Sequence, residues 1–133
     1  MTLQAELAPL QGMWRFVMIE VDGDRLDMNQ GNAKTVTIEG DEWVSNFAPS
    51  QVMTRRRFAL DPARHRLDFL IAPDLTTPGI YSLDGRQLQL CMNQRALKKA
   101  LGWPVEGDDR APPTKFAAPL GSHYRLWVLE RTT

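Results

Sequence analysis

The sequence predicts an all-β domain in which about eight antiparallel strands close into an up-and-down barrel. Apolar and polar residues alternate with period two in segments bounded by Gly, Pro, Asn or Asp, and helical periodicity is nearly absent. The 133 residues suffice for one such domain, spanning 1–133. A barrel of about eight strands is just wide enough to hold one small ligand. The predicted strands are 13–21, 34–39, 42–48, 52–60, 66–71, 79–83, 87–92 and 123–131.

The connectors between these strands differ in length at the two ends of the predicted barrel. In a simple meander, three short turns fall at one end, named the closed end: 40–41, 61–64 and 84–85. The other end, named the open end, receives the connectors 22–33, 48–51 and 72–78 and the long stretch 93–122. Loops of this length are usually either functional or disordered. A ligand is therefore expected to enter at the open end.

The first strand begins at the closed end and the last strand finishes there, which brings three residues together. Gly12 and Trp14 open the first strand, and Arg131 closes the last one. A guanidinium can lie on an indole face through a cation–π contact while its charge stays partly hydrated. The expected role of these three residues is structural rather than catalytic.

One segment has helical rather than strand spacing. Leu97, Ala100 and Leu101 recur at helical intervals within 94–101, and a glycine follows as a stop. A short helix is expected there, over or beside the open end. The residues after it, 103–113, are rich in Pro, Gly and Asp and predict an irregular loop.

Composition narrows the function classes. Lys plus Arg and Asp plus Glu both number 16, so no net charge attracts the protein to nucleic acid or to an anionic membrane surface. The single cysteine, Cys91, cannot form an internal disulfide, and no apolar run approaches the roughly 20 residues that span a bilayer. Residues 1–6 lack the features of a signal peptide, so a cytoplasmic location is expected, although removal of such a peptide would leave the same sequence.

Arg56 is the main candidate for holding a ligand. It shares the strand parity of Phe58, so both side chains are predicted to face the interior. An unpaired buried cation is unfavourable, which leaves an internal ion pair, a bulge that turns Arg56 outward, or an anionic ligand. The leading hypothesis is a protein that binds an apolar or amphipathic small molecule with an anionic group. Besides Arg56, the predicted ligand-binding residues are apolar and interior: Phe16, Phe58, Phe69, Leu88, Leu90 and Leu126; Val36 is also predicted to face the interior.

An enzyme of isomerase, cyclase or hydrolase type on the same barrel is the alternative. Cys91 and His123 lie near the open end, where a thiolate beside an imidazole could act as a nucleophile, although packing is the better interpretation of Cys91. Asp22 could act as a general base, although aspartates in loops more often form turns. His65 belongs to the opposite end, so the two histidines cannot share a metal. No phosphate loop or cofactor motif is present.

The last predicted strand is apolar on both faces. Leu126 and Val128 occupy one face, and Trp127 and Leu129 occupy the other. With Leu126 inside, Trp127 is predicted to face outward and to need a cover. That cover is either the 94–120 segment or a second copy of the chain in a homodimer, which makes a protein-interaction module the third hypothesis.

Several motifs together resemble a known family. They are Leu10-x-Gly12-x-Trp14, Glu20-x-Asp22-Gly23, Leu60-Asp61-Pro62, Gly79 to Gly85 with Leu88 to Cys91, and Arg110 to Phe116 followed by Arg131. On these residues the chain resembles the lipocalin-like domain family of unknown function first noted in planctomycetes and found in other bacteria. The resemblance covers essentially the whole chain, although the 94–109 segment looks longer than the usual connector. It implies a lipocalin-type (calycin) barrel and no particular reaction or ligand.

Overall fold

The computed structural model describes residues 7–27, 34–47 and 52–132, which form one sheet of ten strands. The alternating segments of the sequence become its long strands. In chain order the strands are β1 (Gly12–Val21), β2 (Asp24–Asp27), β3 (Lys34–Glu39), β4 (Glu42–Phe47), β5 (Val52–Asp61), β6 (Arg66–Ala72), β7 (Leu75–Thr77), β8 (Gly79–Asp84), β9 (Gln87–Asn93) and β10 (Tyr124–Arg131). One helix, α1 (Arg95–Ala100), and two 3-10 turns, Ala8–Leu10 and Pro62–Arg64, are the other described elements.

Eight of these strands close an antiparallel barrel in the order β1-β3-β4-β5-β6-β8-β9-β10, and β10 pairs back onto β1. The predicted closed barrel is confirmed, and every predicted strand matches an observed one to within one residue at each end. The predicted connector 48–51 and residues 28–33 of the connector 22–33 lie outside the described residues.

Two short strands, β2 and β7, were not predicted. Both lie inside connectors that the sequence assigns to the open end, and each pairs as a hairpin, β2 with β1 and β7 with β6. Pro78 separates β7 from β8, because proline lacks the N–H that a continuous strand would donate. Strands of three and four residues carry too little alternation to be recognised in a sequence.

A β-bulge in β1 changes which side chains face the interior. The register of β1 against β10 shifts between Phe16 and Met18. Phe16 belongs to the interior cluster, whereas Met18 packs on the outer face and Ile19 returns to the interior cluster. Because of this shift, Glu20 lies on the outer face with Met18, where its carboxylate accepts a hydrogen bond from the backbone N–H of Ala118 at 2.7 Å.

The closed end is built as predicted. The guanidinium carbon of Arg131 lies 4.2 Å from the centre of the fully buried Trp14 ring. Arg131 also donates hydrogen bonds to the carbonyl oxygens of Gln11 at 2.7 Å and Pro9 at 2.6 Å. Gly12 has a φ of +114°, and a Cβ there would lie 3.2 Å from Arg131 Nη1. Glycine at this position therefore leaves room for the guanidinium that covers Trp14.

Apolar side chains fill the barrel from the closed end to a layer of four aromatic rings. Trp43 stacks against Trp127 with ring centres 5.6 Å apart, and Phe16 and Phe69 meet these indoles edge-on at 5.3 Å. Below this aromatic layer, the packed core includes Leu10, Trp14, Val36, Ile38, Phe58, Leu67, Leu88, Leu90 and Leu129.

The two faces of β10 are the reverse of the prediction. Leu126 lies on the outer face in a cluster with Met18, Cys91 and Ala118, whereas Trp127 packs against the interior cluster. Parity could not decide between them, because both faces of this strand are apolar. The outer face is covered by residues around Ala118 of the same chain, so a homodimer is not needed to cover it.

The long connector after β9 is tied to the barrel at two places. Asn93, fully buried, donates hydrogen bonds from its amide to the carbonyl oxygens of Asp108 and Ala111, both at 2.9 Å. The backbone N–H of Gly23 donates to the carbonyl oxygen of Ala118 at 2.6 Å. The predicted helix is confirmed as α1, which packs against β7. None of the described helices has the length and apolarity needed to cross a membrane.

Candidate ligand-binding site

A cavity of about 200 Å³ lies at the open end, next to the aromatic layer. Three rings of the aromatic layer also line the cavity: Trp43, Phe69 and Trp127. The apolar side of the cavity is therefore aromatic. On the side opposite the rings lie helix α1 and the connector before β10, and Leu97 of α1 forms part of the cavity lining. This cavity, named the open-end cavity, is lined by Trp43, Ser45, Thr54, Arg56, Phe69, Ile71, Thr77, Met92, Gln94, Leu97, Arg125 and Trp127.

Two arginines reach this cavity from opposite sides of the barrel. Arg56 projects from β5 and Arg125 from β10, and three strands separate β5 from β10 in either direction around the barrel. Burial lowers the pKa of Arg125, and the positive charge of Arg56 lowers it further. Among the described residues, no Asp or Glu lines the cavity. Within the described part of the chain, neither guanidinium has an ion-pair partner.

Three buried polar atoms around the cavity have no hydrogen-bond partner in the described part of the chain. They are Trp43 Nε1, Thr77 Oγ1 and Arg125 Nε. Trp43 and Thr77 are each only 1% exposed, so bulk water does not satisfy them. A buried donor left unpaired is unfavourable by about 1–3 kcal/mol, and native proteins contain few such groups. All three residues line the open-end cavity, which is where a bound molecule could supply the missing acceptors.

The strand register explains how Arg56 comes to lie beside the aromatic layer. Trp43 of β4 pairs directly with Arg56 of β5, and Ser45 pairs with Thr54 one step nearer the open end. Side chains on one face repeat every two residues, so Phe58 in the core and Arg56 at the cavity share the inner face. The predicted inward orientation of Arg56 thus agrees with the structure. The other two alternatives, an internal ion pair and an outward bulge, are not found among the described residues.

Of the apolar residues predicted to bind the ligand, Phe69 lines the cavity. Phe16, Phe58, Leu88 and Leu90 belong to the interior cluster and are not among the residues that line it. Placing Leu126 in the interior was wrong, because it packs on the outer face. The inward residues of β10 are instead Arg125, Trp127 and Leu129, so the parity error concealed the second arginine.

Thr77 was missed because it belongs to β7, which the alternation did not predict. Arg125 was missed because its face of β10 is fixed by the register against β9, which pairs Trp127 with the inward Leu90 and Leu129 with the inward Leu88.

The candidate catalytic residues are engaged in structural contacts. Cys91 is fully buried on the outer face, its thiol 3.4 Å from the carbonyl oxygen of Ala117, and burial raises its pKa to about 11. A thiol in this state is not a nucleophile at neutral pH. His123 lies at the open end with Nδ1 2.9 Å from Lys98 Nζ. The structure therefore does not bring Cys91 and His123 together as a nucleophile and its base.

Asp22 accepts backbone hydrogen bonds from Gly121 at 2.8 Å and His123 at 3.2 Å. The bond from His123 is the main cause of a lowered pKa for this carboxyl. The described residues contain no group of three or more His, Cys, Asp or Glu side chains placed to hold a metal ion.

A groove of about 400 Å³ runs outside the open-end cavity. Gln94, Leu97 and Arg125 line both hollows and form the partition between them. The groove also contains three exposed apolar side chains, Leu101, Trp103 and Leu120.

Comparisons with protein-family models, with curated proteins and with solved structures found no match for this chain. Any statement about function is therefore inferred from the structure of this chain. The structure shows a closed eight-stranded antiparallel barrel with a cationic cavity at one end. Lipocalin-like proteins share this barrel architecture.

Proposed function

We propose that this barrel binds a small amphipathic molecule in the open-end cavity, with an anionic group between Arg56 and Arg125. The observation that carries the proposal is that two arginines face one small cavity with no carboxylate among the described residues that line it. Several arginines outside the cavity do pair with acids: Arg57 pairs with Asp41 at 2.6 Å and the half-buried Arg66 pairs with Asp68 at 2.9 Å.

An anion at this place would relieve two unfavourable features of the cavity. The guanidiniums repel each other, and burial of Arg125 deprives its charge of water. An anionic group accepts charge-assisted hydrogen bonds from both arginines, each contributing about 1.5–3 kcal/mol. Such a group also supplies an acceptor for the unpaired Arg125 Nε.

The aromatic wall supports an apolar or flat remainder of the ligand. Trp43, Phe69 and Trp127 present ring surface to the cavity. A cavity of roughly 150 Å³ takes a molecule the size of benzene, and the open-end cavity has about 200 Å³. The size therefore fits one ring, or a short aliphatic chain, together with its charged group. No observation favours the enzyme hypothesis equally, because Cys91, His123 and Asp22 each have a structural contact.

The experiment compares an anionic probe with its neutral analogue by titration calorimetry. Benzoate should bind the parent protein, and Arg56→Met should weaken its binding by roughly ten- to hundredfold while leaving the binding of benzamide unchanged. Arg55→Met is the matched control, since Arg55 is the adjacent residue on the same strand but faces solvent and pairs with Glu42. Equal losses for both probes in Arg56→Met, or no binding of either probe to the parent protein, would remove Arg56 from a binding site.

Native mass spectrometry of the purified protein is an independent test. A co-purified anionic molecule that is lost from Arg56→Met but kept by Arg55→Met would support the same site.

Membership of the lipocalin-like domain family that the motifs resemble is also part of the proposal. Its support is that motif residues Gly12, Trp14 and Arg131 form the closed end together. A cytoplasmic location is proposed as well, supported by a buried free thiol at Cys91.

A further inference from the structure

We propose that the anionic group held between Arg56 and Arg125 is doubly charged: a phosphoryl group, either on a small organic molecule or as free phosphate, rather than a carboxylate. This inference rests on the proposed function and names the ligand class for the same cavity. Three observations carry it: the number of cations, the number of unpaired donors, and the contrast with the arginines on the outer face.

The first observation is the charge balance. Arginine stays protonated in proteins at neutral pH, so Arg56 and Arg125 together bring two positive charges to the cavity. The part of the lining that the structure describes contains no acid to offset either charge. A monoanion would leave one of the two guanidiniums unmatched, whereas a dianion matches both. A phosphate monoester becomes a dianion above its second pKa of about 6.

The second observation is the set of hydrogen-bond donors. Arg125 Nε, Trp43 Nε1 and Thr77 Oγ1 are buried and unpaired, and indole and guanidinium N–H groups can only donate. The hydroxyls of Ser45 and Thr54 line the same cavity. A carboxylate offers two acceptor oxygens, but a phosphoryl group offers three oxygens directed away from each other. The arrangement of donors on opposite walls of the barrel therefore suits the tetrahedral group better than the planar one.

The third observation concerns the other two arginines in the middle of β5. Arg55 and Arg57 flank Arg56 and face outward, and each has its own carboxylate, from Glu42 and Asp41 respectively. Only the inward-facing member of this run of three has no acidic partner among the described residues. On β5, therefore, the two arginines that are exposed to water each pair with a carboxylate, whereas Arg56, which faces the cavity, has no such partner among the described residues.

The test uses two probes of nearly identical shape. Phenyl phosphate and phenyl sulfate both carry a ring and three terminal oxygens, but at pH 8 the phosphate has two negative charges and the sulfate has one. Titration calorimetry with the parent protein at pH 8 should show phenyl phosphate binding at least tenfold more tightly than phenyl sulfate. At pH 5, about one unit below the second pKa of a phosphate monoester, most phenyl phosphate is a monoanion, so the preference should fall several-fold, in proportion to the loss of the dianion. Phenyl sulfate keeps its charge throughout, so it corrects for any change in the charge of the protein between the two pH values.

Variants identify the residues responsible. Arg125→Met and Arg56→Met should each remove most of the preference for phenyl phosphate over phenyl sulfate at pH 8, and Arg55→Met should keep it. The comparison of pH 8 with pH 5 uses only the parent protein, so a variant that fails to fold does not prevent the test.

Inorganic phosphate distinguishes the two possible sources of the phosphoryl group. Tighter binding of phenyl phosphate than of inorganic phosphate supports an organic ligand on the aromatic wall, and equal binding supports the free ion.

The outcomes separate this inference from the proposed function. Binding of phenyl phosphate, phenyl sulfate and benzoate with equal affinity at pH 8 would overturn the dianion while leaving an anion-binding cavity in place. No binding of any of these probes would overturn both. A preference for phenyl phosphate that persists in Arg56→Met and Arg125→Met would also overturn the inference, because the second charge would then be recognised elsewhere.

Discussion

The carboxylate of Asp22 accepts a hydrogen bond from the backbone N–H of His123 at 3.2 Å, across the open end of the barrel. Both residues were candidates for catalysis, and the structure joins them in a structural contact. Each has a left-handed backbone, with φ of +49° at Asp22 and +58° at His123. The same carboxylate oxygen accepts the N–H of Gly121 at 2.8 Å. Asp22 therefore attaches the end of the long connector to the turn after β1.

The first prediction concerns this contact. Asp22→Ala should destabilise the protein by about 1–2 kcal/mol, because two N–H groups lose their acceptor and alanine disfavours a positive φ. Asp22→Asn should cost less, since asparagine offers a carbonyl oxygen and tolerates the left-handed region. Urea unfolding monitored by tryptophan fluorescence measures both. An alanine variant as stable as the asparagine variant would contradict the assigned role.

The lowered pKa of Asp22 adds a pH dependence to this prediction. A carboxyl whose pKa is lower in the folded state stabilises the fold above its unfolded pKa of 3.8, and this contribution is lost as the pH falls through the folded value. The stability difference between the parent and Asp22→Asn should therefore be largest at neutral pH and shrink below pH 4. A difference that stays constant down to pH 2 would show that the charge of Asp22 plays no part.

The second prediction concerns Cys91. Burial raises the pKa of its thiol from 9.0 to about 11. The folded state thus retains a proton that the unfolded state releases, and the stabilisation is lost as the pH rises from about 9 to 11. Relative to Cys91→Ala, the parent should lose on the order of 2 kcal/mol across that range. Parallel stability curves for the two proteins would contradict the assignment. A thiol reagent such as Ellman's reagent should react with the parent only on unfolding.

The third prediction tests the cover of the outer face. Ala118 is fully buried against Met18, Cys91 and Leu126. Ala118→Asp would bury an unpaired carboxylate and should destabilise the protein by about 3 kcal/mol or more. Lys115→Asp lies in the same connector at an exposed position and should change stability by roughly 0.5 kcal/mol or less. Similar melting temperatures for the two variants would show that this connector does not cover β10.

The fourth prediction explains a glycine in the motif Gly79 to Gly85. A Cβ at Gly79 would lie 2.6 Å from the carbonyl oxygen of Leu67 and 3.1 Å from that of Cys91, both in barrel strands. Gly79→Ala should therefore destabilise the barrel by about 1–3 kcal/mol. Gly85→Ala has open space and needs only a positive φ of +59°, so its cost should be nearer 1 kcal/mol. Chemical denaturation that ranks Gly85→Ala as the worse variant would contradict this explanation.

The fifth prediction concerns the closed end. Trp14→Ala removes a fully buried indole and should destabilise the protein by about 3–5 kcal/mol. Arg131→Lys should be only partly tolerated, because an ammonium cannot cover the ring and reach the carbonyl oxygens of Pro9 and Gln11 as the planar guanidinium does. Thermal unfolding of both variants checks this, and an unchanged melting temperature for Trp14→Ala would count against the closed-end assignment.

The sequence by itself determined the barrel and its two ends. Period-two alternation is a local property, so the eight long strands, the short turns and the contact of Trp14 with Arg131 could be predicted from neighbouring residues and chain order. The inward orientation of Arg56 followed in the same way, because Phe58 defines the inner face of β5.

Only the tertiary structure decided which face of β10 lies inside, because Leu126 and Trp127 are both apolar and the choice depends on what packs against each. That choice brings Arg125 to Arg56 from the opposite side of the barrel. The bulge after Phe16 and the short strand that carries Thr77 likewise arise from pairing between strands. A ligand site made by residues distant in sequence depends on these pairings, and a local pattern carries no information about them.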